Sequence, residues 1–341
     1  MLAGAAAIVL PRKIRVALIG LDGHTGEVLT PLPQLPDVEV AAIASSDSRA
    51  LERFAKNPRL TAAKQYSDYR RMLDQEKIDV AGVCNVHSEH AAAALACMER
   101  KIHVIAEKPI ATENEDLEKL RKIVAQGPAK LTAMLPMRFD SPYLALRQIV
   151  EAGELGDVIQ IDGQKSYKMG NRPPWFYKRK TYGGTMPWIG IHMVDLMLFT
   201  SGRQFQETFG YQNRIGFPET DEMENVSATV FRMDNGGVAL LRMDYLRPQT
   251  AATHGDDRLR LAGTKGVAEY TGATGVTLMT GSKKPEVISK LPARRSLFVE
   301  FLDHIYNGKA APIPWEQVDR AHRVVLGARQ AMESHKVLKL S

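Results

Sequence analysis

Cysteine is scarce in this chain, with Cys84 and Cys97 the only two among 341 residues. Both lie in apolar segments that predict a buried strand and a buried helix, and nothing near them has the spacing of metal ligands. A disulfide-stapled fold and a cysteine metal centre are therefore not expected, and no metal site is predicted. A reducing, cytoplasmic setting fits this composition best.

Charge of one sign is also in short supply. The net charge is +6, from 45 basic and 39 acidic residues, which is a small excess for a chain of this length. The sequence has no cluster of basic residues with interleaved aromatic residues of the kind that binds nucleic acid. Nucleic acid is therefore not expected as a partner.

Long hydrophobic runs are missing as well. The apolar stretch 2–10 has no basic residue ahead of it and is far too short to span a bilayer. We interpret it as a loose extension before the first strand, with an exported form as the minority alternative. No other run approaches membrane-spanning length, so no membrane partner is expected.

The composition that remains is that of a globular protein. The apolar fraction is 44% and the charged fraction 25%, so disorder is not expected. The length exceeds that of one ordinary hydrophobic core, which suggests two domains.

Short apolar runs alternate with helical patterns in the first part of the chain. The predicted strands span 14–19, 38–44, 80–84, 103–106 and 131–135. Predicted helices begin at Gly26 or span 48–56, 67–73, 89–100 and 114–125. This alternation predicts a doubly wound α/β fold with a parallel sheet.

A glycine-rich turn joins the first strand to its helix. Gly20, Gly23 and Gly26, with His24 and Thr25 between them, have the spacing G-x-x-G-x-x-G, one residue longer at the front than the usual dinucleotide fingerprint. Such a turn lets backbone amides and a helix N-terminus approach a pyrophosphate, because no Cβ blocks the way. The alternative is a turn that only tightens the connection. The strand before it and the helix after it favour dinucleotide binding.

The end of the second strand bears on which dinucleotide is bound. Dinucleotide folds usually place an acidic residue there to hold the ribose hydroxyls. This chain has Ser45 and Ser46 followed by Asp47, so the charge that would repel a 2′-phosphate is missing if Ser45 takes that position. Arg49 either helps to hold such a phosphate or is simply solvated on the first turn of the next helix. The cofactor is expected to be NAD or NADP, with a slight preference for NADP; Asp47 either recovers the ribose contact or caps the next helix.

The triplet Glu107-Lys108-Pro109 follows the apolar run 102–106. Ligands of open α/β sheets bind beyond the strand ends, where side chains converge on a crevice. A lysine in that position can bind an anion or polarise a hydroxyl. The alternative is a solvated charge at a strand end.

Three motifs occur here in the order seen in one protein family: the glycine turn, the segment Cys84-Asn85-Val86-His87-Ser88-Glu89-His90, and the triplet that contains Lys108. The chain resembles the Gfo/Idh/MocA oxidoreductases, the glucose-fructose oxidoreductase and inositol dehydrogenase group. The resemblance implies an N-terminal Rossmann domain and a C-terminal α/β domain with a large open, mostly antiparallel sheet. It also implies a carbohydrate-type substrate, a sugar, cyclitol or derivative, and a homodimer or homotetramer formed through that sheet.

The resemblance also implies roles for residues of the first domain. Lys108 would be catalytic and lie between nicotinamide and substrate, with Glu107 near the nicotinamide ribose. Pro109 in the family often follows a cis bond. Asn85, Val86 and His87 match the loop that runs beside the cofactor. His90 matches a family histidine, with a cofactor role and a structural role equally open.

We expect a Rossmann domain over 12–131, a substrate and oligomerisation domain over 132–314, and a C-terminal helix and tail over 315–341 that pack back on the first domain. The segment 137–142 resembles the family's R-F-x-P segment and leads into a helix ending near Glu151. Alternating patterns at 228–232 and 238–245, with turns at 235–237 and 262–263, predict antiparallel strands. The final helix is predicted from about Gln317 to Ser334.

A second motif in this domain resembles the family's D-x-G-x-H-x-x-D pattern. His192 is the candidate general base, and Asp195, one helical turn later, would orient it. Where the family usually has aspartate, four residues earlier, this chain has Trp188. Trp188 is expected either to offer a flat face to a sugar ring or to belong to the core.

The segment 165–182 is predicted to be a loop that is rich in basic and aromatic residues and has no acid. If part of it covers the substrate, it favours an anionic carbohydrate; the alternative is a solvated loop at a subunit contact. Lys165, Tyr167 and Arg172 are its substrate candidates.

The leading hypothesis is an NAD(P)-dependent oxidoreductase acting on CH–OH groups, in which Lys108 polarises the oxygen and His192 is the general base. One alternative is a glycosidase or lyase whose NAD is not consumed, because oxidation is transient. Another is a non-catalytic sensor of cofactor or ligand.

Overall fold

A computed structural model of the chain describes residues 8–282 and 284–340. The predicted apolar extension lies, up to residue 7, outside the described residues. Its end is held in place, because Leu10 is buried and the Asn307 side-chain amide donates a hydrogen bond to the Val9 carbonyl at 3.1 Å.

Helices and strands alternate at first and then give way to a strand-rich segment. The strands are β1 Ile14–Ile19, β2 Val38–Ala44, β3 Lys64–Tyr66, β4 Val80–Val83, β5 His103–Ala106, β6 Leu131–Ala133, β7 Val158–Tyr167, β8 Phe205–Asn213, β9 Val226–Met233, β10 Val238–Asp244, β11 Gly255–Gly263, β12 Gly266–Thr271, β13 Gly275–Thr280, β14 Glu286–Val287 and β15 Leu338–Lys339. The helices are α1 Gly26–Leu29, α2 Ser48–Ala55, α3 Tyr69–Gln75, α4 His90–Glu99, α5 Asn114–Gln126, α6 Ser141–Glu151, α7 Arg179–Tyr182, α8 Ile191–Ser201, α9 Leu297–Asn307 and α10 Trp315–Ser334.

The chain divides into two compact units. The first contains the described residues up to Pro136 and returns with Arg295–Arg320, and the second contains Met137–Arg294 and the residues from Ala321 on. The segment 295–314, which we expected in the second domain, thus groups with the first. Its helix α9 packs against α1, with Phe298, Phe301 and Leu302 buried.

The first unit contains a parallel sheet in the order β3-β2-β1-β4-β5-β6. This confirms the predicted doubly wound α/β fold. The strand order reverses between β1 and β4, which is where such sheets bind ligands. β4 is buried throughout, as expected of a strand inside a parallel sheet.

Two local predictions in this unit were inexact. The helix expected from Gly26 is a single turn, because Pro31 and Pro33 follow it and proline cannot supply the amide that a longer helix needs. Strand β3 was missed, because its sequence Lys-Gln-Tyr at the sheet edge has no apolar run to reveal it.

The second unit contains a sheet in the order β14-β13-β12-β11-β7-β10-β9-β8-β15. Its described pairs are antiparallel except for β7 with β10, so the prediction of a mostly antiparallel sheet is confirmed. The turn expected at 262–263 comes two residues later, at 264–265, because Gly263 still pairs with Val158 beyond a bulge.

Helix α8 lies directly on this sheet. A Cβ at Gly163 of β7 would lie 2.3 Å from Met197 Cε and 2.6 Å from Met193 Cγ, so only glycine permits this close approach. None of the helices in the described ranges combines the length and hydropathy that crossing a bilayer requires.

Candidate active site

The glycine turn of the first unit is hydrogen-bonded to the residue that follows β4. Gly20 has φ +76°, and a Cβ there would lie 2.2 Å from Asn85 Cα. The amides of Asp22 and Gly23 both donate to the Cys84 carbonyl at 3.1 Å. Gly20 is therefore required both by its backbone conformation and by the close approach of Asn85, which follows β4.

Gly23 is required for a different reason. A Cβ at Gly23 would lie 1.5 Å from Glu107 Oε2, so the Glu107 carboxylate fills the space beside this glycine. The His24 amide donates to the same oxygen at 2.9 Å, and His24 Nδ1 lies 2.5 Å from Oε1. At Gly26 the nearest atom would be Thr30 Oγ1 at 3.6 Å, an ordinary contact.

These contacts change the interpretation of the glycine motif. Protein acceptors already receive the amides of Asp22, Gly23 and His24, which we expected the turn to present to a pyrophosphate. The missing Cβ atoms of Gly20 and Gly23 make room for Asn85 and Glu107. Thr25, which precedes the one-turn helix, is buried.

Glu107 is a fully buried carboxylate that stays ionised. Burial alone would raise its pKa, but the hydrogen bond and charge of His24, followed by the charges of Lys108 and His90, lower it to about 2. Lys108 is 2% exposed, and the Lys108–Pro109 bond is cis, as in the family resemblance. The triplet is thus a packed strand end, and the solvated-charge alternative is wrong.

His90 has the structural position that we had considered beside a cofactor role. Its Nδ1 lies 2.7 Å from the Pro109 carbonyl and its Nε2 lies 2.8 Å from the Asn85 carbonyl. The buried ring therefore clamps the loop after β4 to the turn after β5. His87 is also buried, with its ring 5.4 Å from that of His90.

A cleft of about 270 Å³ opens at the point where the strand order reverses. Gly20, Ser45, Ser46, Asn85 and Val86, which the sequence analysis proposed as cofactor-binding residues, line it. The Asn85 side-chain oxygen is buried and has no hydrogen-bond partner among the described residues.

Acidic side chains also line this cleft, namely Asp22, Asp68 and Glu89. Burial raises the pKa of Asp22, and the charges of Asp47 and Glu89 raise it further. Asp47 caps α2 by accepting a hydrogen bond from the Arg49 amide at 2.9 Å, so the capping alternative is confirmed. Arg49 itself is exposed and is not among the residues that line the cleft.

In the second unit, Asp195 is paired with Arg138. Its carboxylate accepts hydrogen bonds from Arg138 Nε at 2.7 Å and Nη2 at 2.5 Å, and both residues are buried. No hydrogen bond from His192 to Asp195 occurs within residues 8–282 and 284–340, so the geometry does not support the expected orienting role. Arg138 lies in the segment 137–142, where only the family resemblance was noted and no role was expected of this arginine.

His192 lies on the first turn of α8 and is half-buried. The π-helical turn Met186–Gly190 precedes it and contains Trp188. The Trp188 ring is buried edge-on to Phe176, with centroids 5.4 Å apart. Trp188 therefore packs in the core.

The predicted loop 165–182 is a loop only in part. Lys165 and Tyr167 belong to β7, and Lys165 is fully buried with Nζ 2.7 Å from Asp257 Oδ2. Burial opposes its charge, but Tyr167 and Asp257 keep its pKa above the ordinary value. Lys165 therefore belongs to a strand and not to a loop, and the solvated-loop alternative is wrong for this residue.

Half of the six basic residues of this segment, Lys165 among them, pair with acids from later in the chain. Lys178 pairs with Asp221, and Arg179 pairs with Glu224. The Arg172 guanidinium lies 5.3 Å from the centre of the Tyr245 ring. The segment 165–182 itself contains no acidic residue, so these ion pairs could not be predicted from its sequence.

Tyr245, which was not among the expected site residues, contacts both Arg172 and Tyr182. Its hydroxyl lies 3.3 Å from that of Tyr182, and burial raises its pKa to about 12.

No group of three His, Cys, Asp or Glu residues that could hold a metal ion occurs among the described residues.

Two family models match most of the chain. The model of the Gfo/Idh/MocA oxidoreductase family with its NAD-binding Rossmann fold matches residues 14–134, and the model of the Gfo/Idh/MocA C-terminal domain matches residues 143–269. The chain belongs to the Gfo/Idh/MocA oxidoreductase family.

Similar proteins share this organisation over nearly the whole length. Myo-inositol 2-dehydrogenase of Thermotoga maritima is 23% identical, with 96% of this chain and 98% of that protein covered. The structure of a putative oxidoreductase from Thermotoga maritima has a TM-score of 0.90 at 32% identity and covers 96% of this chain and 100% of its own. Levoglucosan dehydrogenase in complex with NADH has a TM-score of 0.81 at 16% identity, covering 96% and 99%, which shows the Gfo/Idh/MocA fold alone.

Proposed function

We propose that this protein is a nicotinamide-dependent dehydrogenase that oxidises a secondary hydroxyl of a sugar, cyclitol or derivative, or reduces the corresponding ketone. Family membership and the relative named as a myo-inositol 2-dehydrogenase support the reaction class. The observation that carries the proposal is the burial of Lys108 at the end of β5, next to a carboxylate that bonds to the glycine turn.

The residues of the first unit fit a dinucleotide. The cleft lies where open α/β sheets bind nucleotides, and the buried Asn85 oxygen in its wall has no described partner. Gly20, Ser45, Ser46, Asn85 and Val86 would hold the adenosine side. His24, Thr25, Gly26, His87 and Glu107 remain proposed contacts of the rest of the cofactor. When bound, the nicotinamide supplies the hydride acceptor or donor.

Lys108 is the proposed electrophile. Its ammonium would stabilise the negative charge that develops on the substrate oxygen as the carbon–hydrogen bond breaks, an interaction that gains strength when water is excluded. Burial at 2% exposure provides that exclusion.

His192 is the proposed general base, which takes the hydroxyl proton during oxidation and returns it during reduction. Its half-buried position on α8 leaves the imidazole partly accessible. Asp195 is no longer assigned to orient it; we assign that carboxylate to holding Arg138 in place.

For the cofactor we now favour NAD(H) over NADP(H), in contrast to the expectation from Ser45. Asp22, Asp68 and Glu89 line the cleft, and a 2′-phosphate would bring further negative charge beside them. Arg49, which was expected to offset that charge, does not line the cleft.

We also propose a homodimer or homotetramer formed through the sheet of the second unit. Tyr211, Val230 and Val238 are 62%, 44% and 48% exposed on β8, β9 and β10. An apolar face of this kind is typical of a surface that a second copy covers. Sedimentation of the full-length protein tests this proposal, and a monomer at micromolar concentration would contradict it.

A substrate panel tests the reaction. Sugars, cyclitols, sugar acids and glycosides are each incubated with NAD or NADP while nicotinamide absorbance and product are followed. Build-up of reduced cofactor with a free sugar or cyclitol is expected. Glycoside cleavage without net reduction would support the transient-oxidation mechanism, and cofactor binding without turnover would support a sensor.

A further inference from the structure

The cleft of the first unit is acidic, although the dinucleotide proposed for it carries a doubly negative pyrophosphate. Asp22, Asp68 and Glu89 line it, and its wall has no lysine or arginine among the residues that the structure describes. A bound pyrophosphate therefore requires positive charge from a group beside this wall.

The backbone of the glycine turn supplies little of that charge. Each amide from residue 22 to residue 25 already donates to an acceptor of the protein, the last of them to the Gly23 carbonyl at 2.9 Å. The following helix α1 has four residues, so few aligned peptide dipoles add up at its N-terminus. The two ordinary sources of pyrophosphate binding at such a turn, amides and a helix dipole, are therefore weak here.

His24 is the one basic side chain of the turn 20–26. Its side chain is 62% exposed, whereas the Glu107 carboxylate against it is 1% exposed. His24 Nδ1 lies 2.5 Å from Glu107 Oε1, and the amide of the same histidine donates to Oε2 at 2.9 Å. One buried carboxylate thus holds both the ring and the backbone of His24, which fixes the orientation of an exposed imidazole.

The Glu107 carboxylate is ionised over the whole range in which an ordinary histidine gains and loses its proton, because its pKa is about 2. A carboxylate that stays charged beside an imidazole forms a charge-assisted hydrogen bond with the imidazolium. In hydrolytic triads a buried carboxylate orients an imidazole in the same way and stabilises the charge that the ring takes up. At His24 that charge lies on the exposed side of the pair, where an anion at the glycine turn can reach it.

The other charged or titratable groups around the pair are Lys108, His90 and His87 beside Glu107, Asp22 on the turn, Glu27 on α1, Glu89 before α4 and the Cys84 thiol after β4. Helix α9, which packs against α1, buries the apolar residues Phe298, Phe301 and Leu302. Histidine is the residue whose ordinary titration falls between about pH 5 and pH 8. Because His87 and His90 are buried, His24 is the histidine of this group that a ligand can approach.

We propose that His24, held by Glu107, supplies the positive charge that binds the pyrophosphate of the nicotinamide dinucleotide, and that its deprotonation weakens cofactor binding. This role rests on the dinucleotide function proposed above. It gives the exposed end of the His24–Glu107 pair a task that the hydride-transfer mechanism leaves unassigned. Since the charge comes from a histidine, affinity for the cofactor is highest with the imidazole protonated and falls as the pH rises.

Calorimetric titration of the full-length protein with NADH at pH 6 and pH 8.5 tests this role. The unmodified protein should bind roughly tenfold more weakly at pH 8.5, the scale of one charge-assisted hydrogen bond. His24→Gln, which keeps a polar side chain without charge, should bind weakly and equally at both pH values. His24→Lys keeps the charge and should bind tightly at both. His304→Gln on α9, away from the cleft wall, is the control and should follow the unmodified protein.

ADP-ribose, which keeps the pyrophosphate and lacks the nicotinamide, separates the two ends of the cofactor. The unmodified protein should show the same pH dependence with ADP-ribose as with NADH, and His24→Gln should lose the same factor for both. A loss for NADH alone would place His24 at the nicotinamide and overturn the proposal.

Thermal unfolding of each variant at both pH values checks that the compared proteins are folded. An affinity of the unmodified protein that does not change with pH, or a pH dependence that His24→Gln retains, would overturn the role of His24 and leave the dehydrogenase. Failure of both NADH and NADPH to bind at either pH would overturn the dinucleotide function and this role together.

Discussion

The Glu107 carboxylate occupies the space that a side chain at Gly23 would need. A Cβ at Gly23 would lie 1.5 Å from Glu107 Oε2, although the two residues are far apart in the sequence. The second glycine of the turn and the first residue of the triplet 107–109 therefore form one structural unit. Because Lys108 follows Glu107 directly, the turn after β1 also fixes the end of β5.

Gly23→Ala should disturb this unit. The added methyl displaces the buried carboxylate, which we expect to lower the free energy of unfolding by about 2 kcal/mol and to weaken NADH binding at least severalfold. Urea unfolding and fluorescence titration measure the two effects. Gly127→Ala, which lies outside the proposed cofactor site and whose Cβ would have 3.5 Å to the nearest atom, is the control; equal behaviour of the two variants would refute the role assigned to Glu107.

Acid should weaken the fold through Glu107. Its folded pKa of about 2 lies below the ordinary 4.5, so its contribution is fully present above pH 4.5 and is lost as pH falls toward 2. A depression of this size corresponds to about 3 kcal/mol. Unfolding free energies of the unmodified protein and Glu107→Gln should therefore differ near neutral pH and converge toward pH 2. Glu118→Gln, on the exposed face of α5, should show no such convergence.

Lys108→Met should abolish most turnover while cofactor binding is kept. Removal of one preorganised charge that acts in the transition state costs roughly 10²- to 10³-fold in kcat. Lys122→Met on the exposed side of α5 is the matched control. Turnover by Lys108→Met within a factor of a few of the unmodified rate would exclude Lys108 from the mechanism.

Fluorescence titration should show tighter binding of NADH than of NADPH. Asp68→Ser removes a negative charge from the cleft but keeps a residue that can cap α3. This variant is expected to gain affinity for NADPH relative to NADH, whereas Asp116→Ser on α5 should not. A preference of the unmodified protein for NADPH would restore the expectation drawn from Ser45.

Asp195→Asn should act on stability. It leaves the buried Arg138 guanidinium without its carboxylate, which typically costs about 3 kcal/mol or more. The double variant Arg138→Met, Asp195→Asn should recover part of the loss, since no unpaired charge remains. If Asp195 instead oriented His192, Asp195→Asn would shift the pH profile of kcat with little loss of stability.

Much of the fold follows from local sequence patterns. The parallel strands were predictable because each is a continuous apolar run between helical segments, and α2 and α3 begin directly after the capping residues Asp47 and Asp68. The short strand β3 was not predictable, because an exposed edge strand needs no apolar pattern. The one-turn α1 could have been inferred from Pro31 and Pro33.

The sequence predicts those parts of the candidate site whose residues are neighbours in the chain. It does not predict the contacts between residues that lie far apart in the chain. The sequence by itself determined the doubly wound sheet, the positions of Lys108 and His192, and the family. Tertiary structure alone decided that Glu107 bonds to His24 across 83 positions, Asp195 to Arg138 across 57, and Lys165 to Asp257 across 92. The physical reason is that helix caps and apolar periodicity depend on adjacent residues. Ion pairs between buried side chains depend instead on sheet register, which places Asp257 of β11 opposite Lys165 of β7.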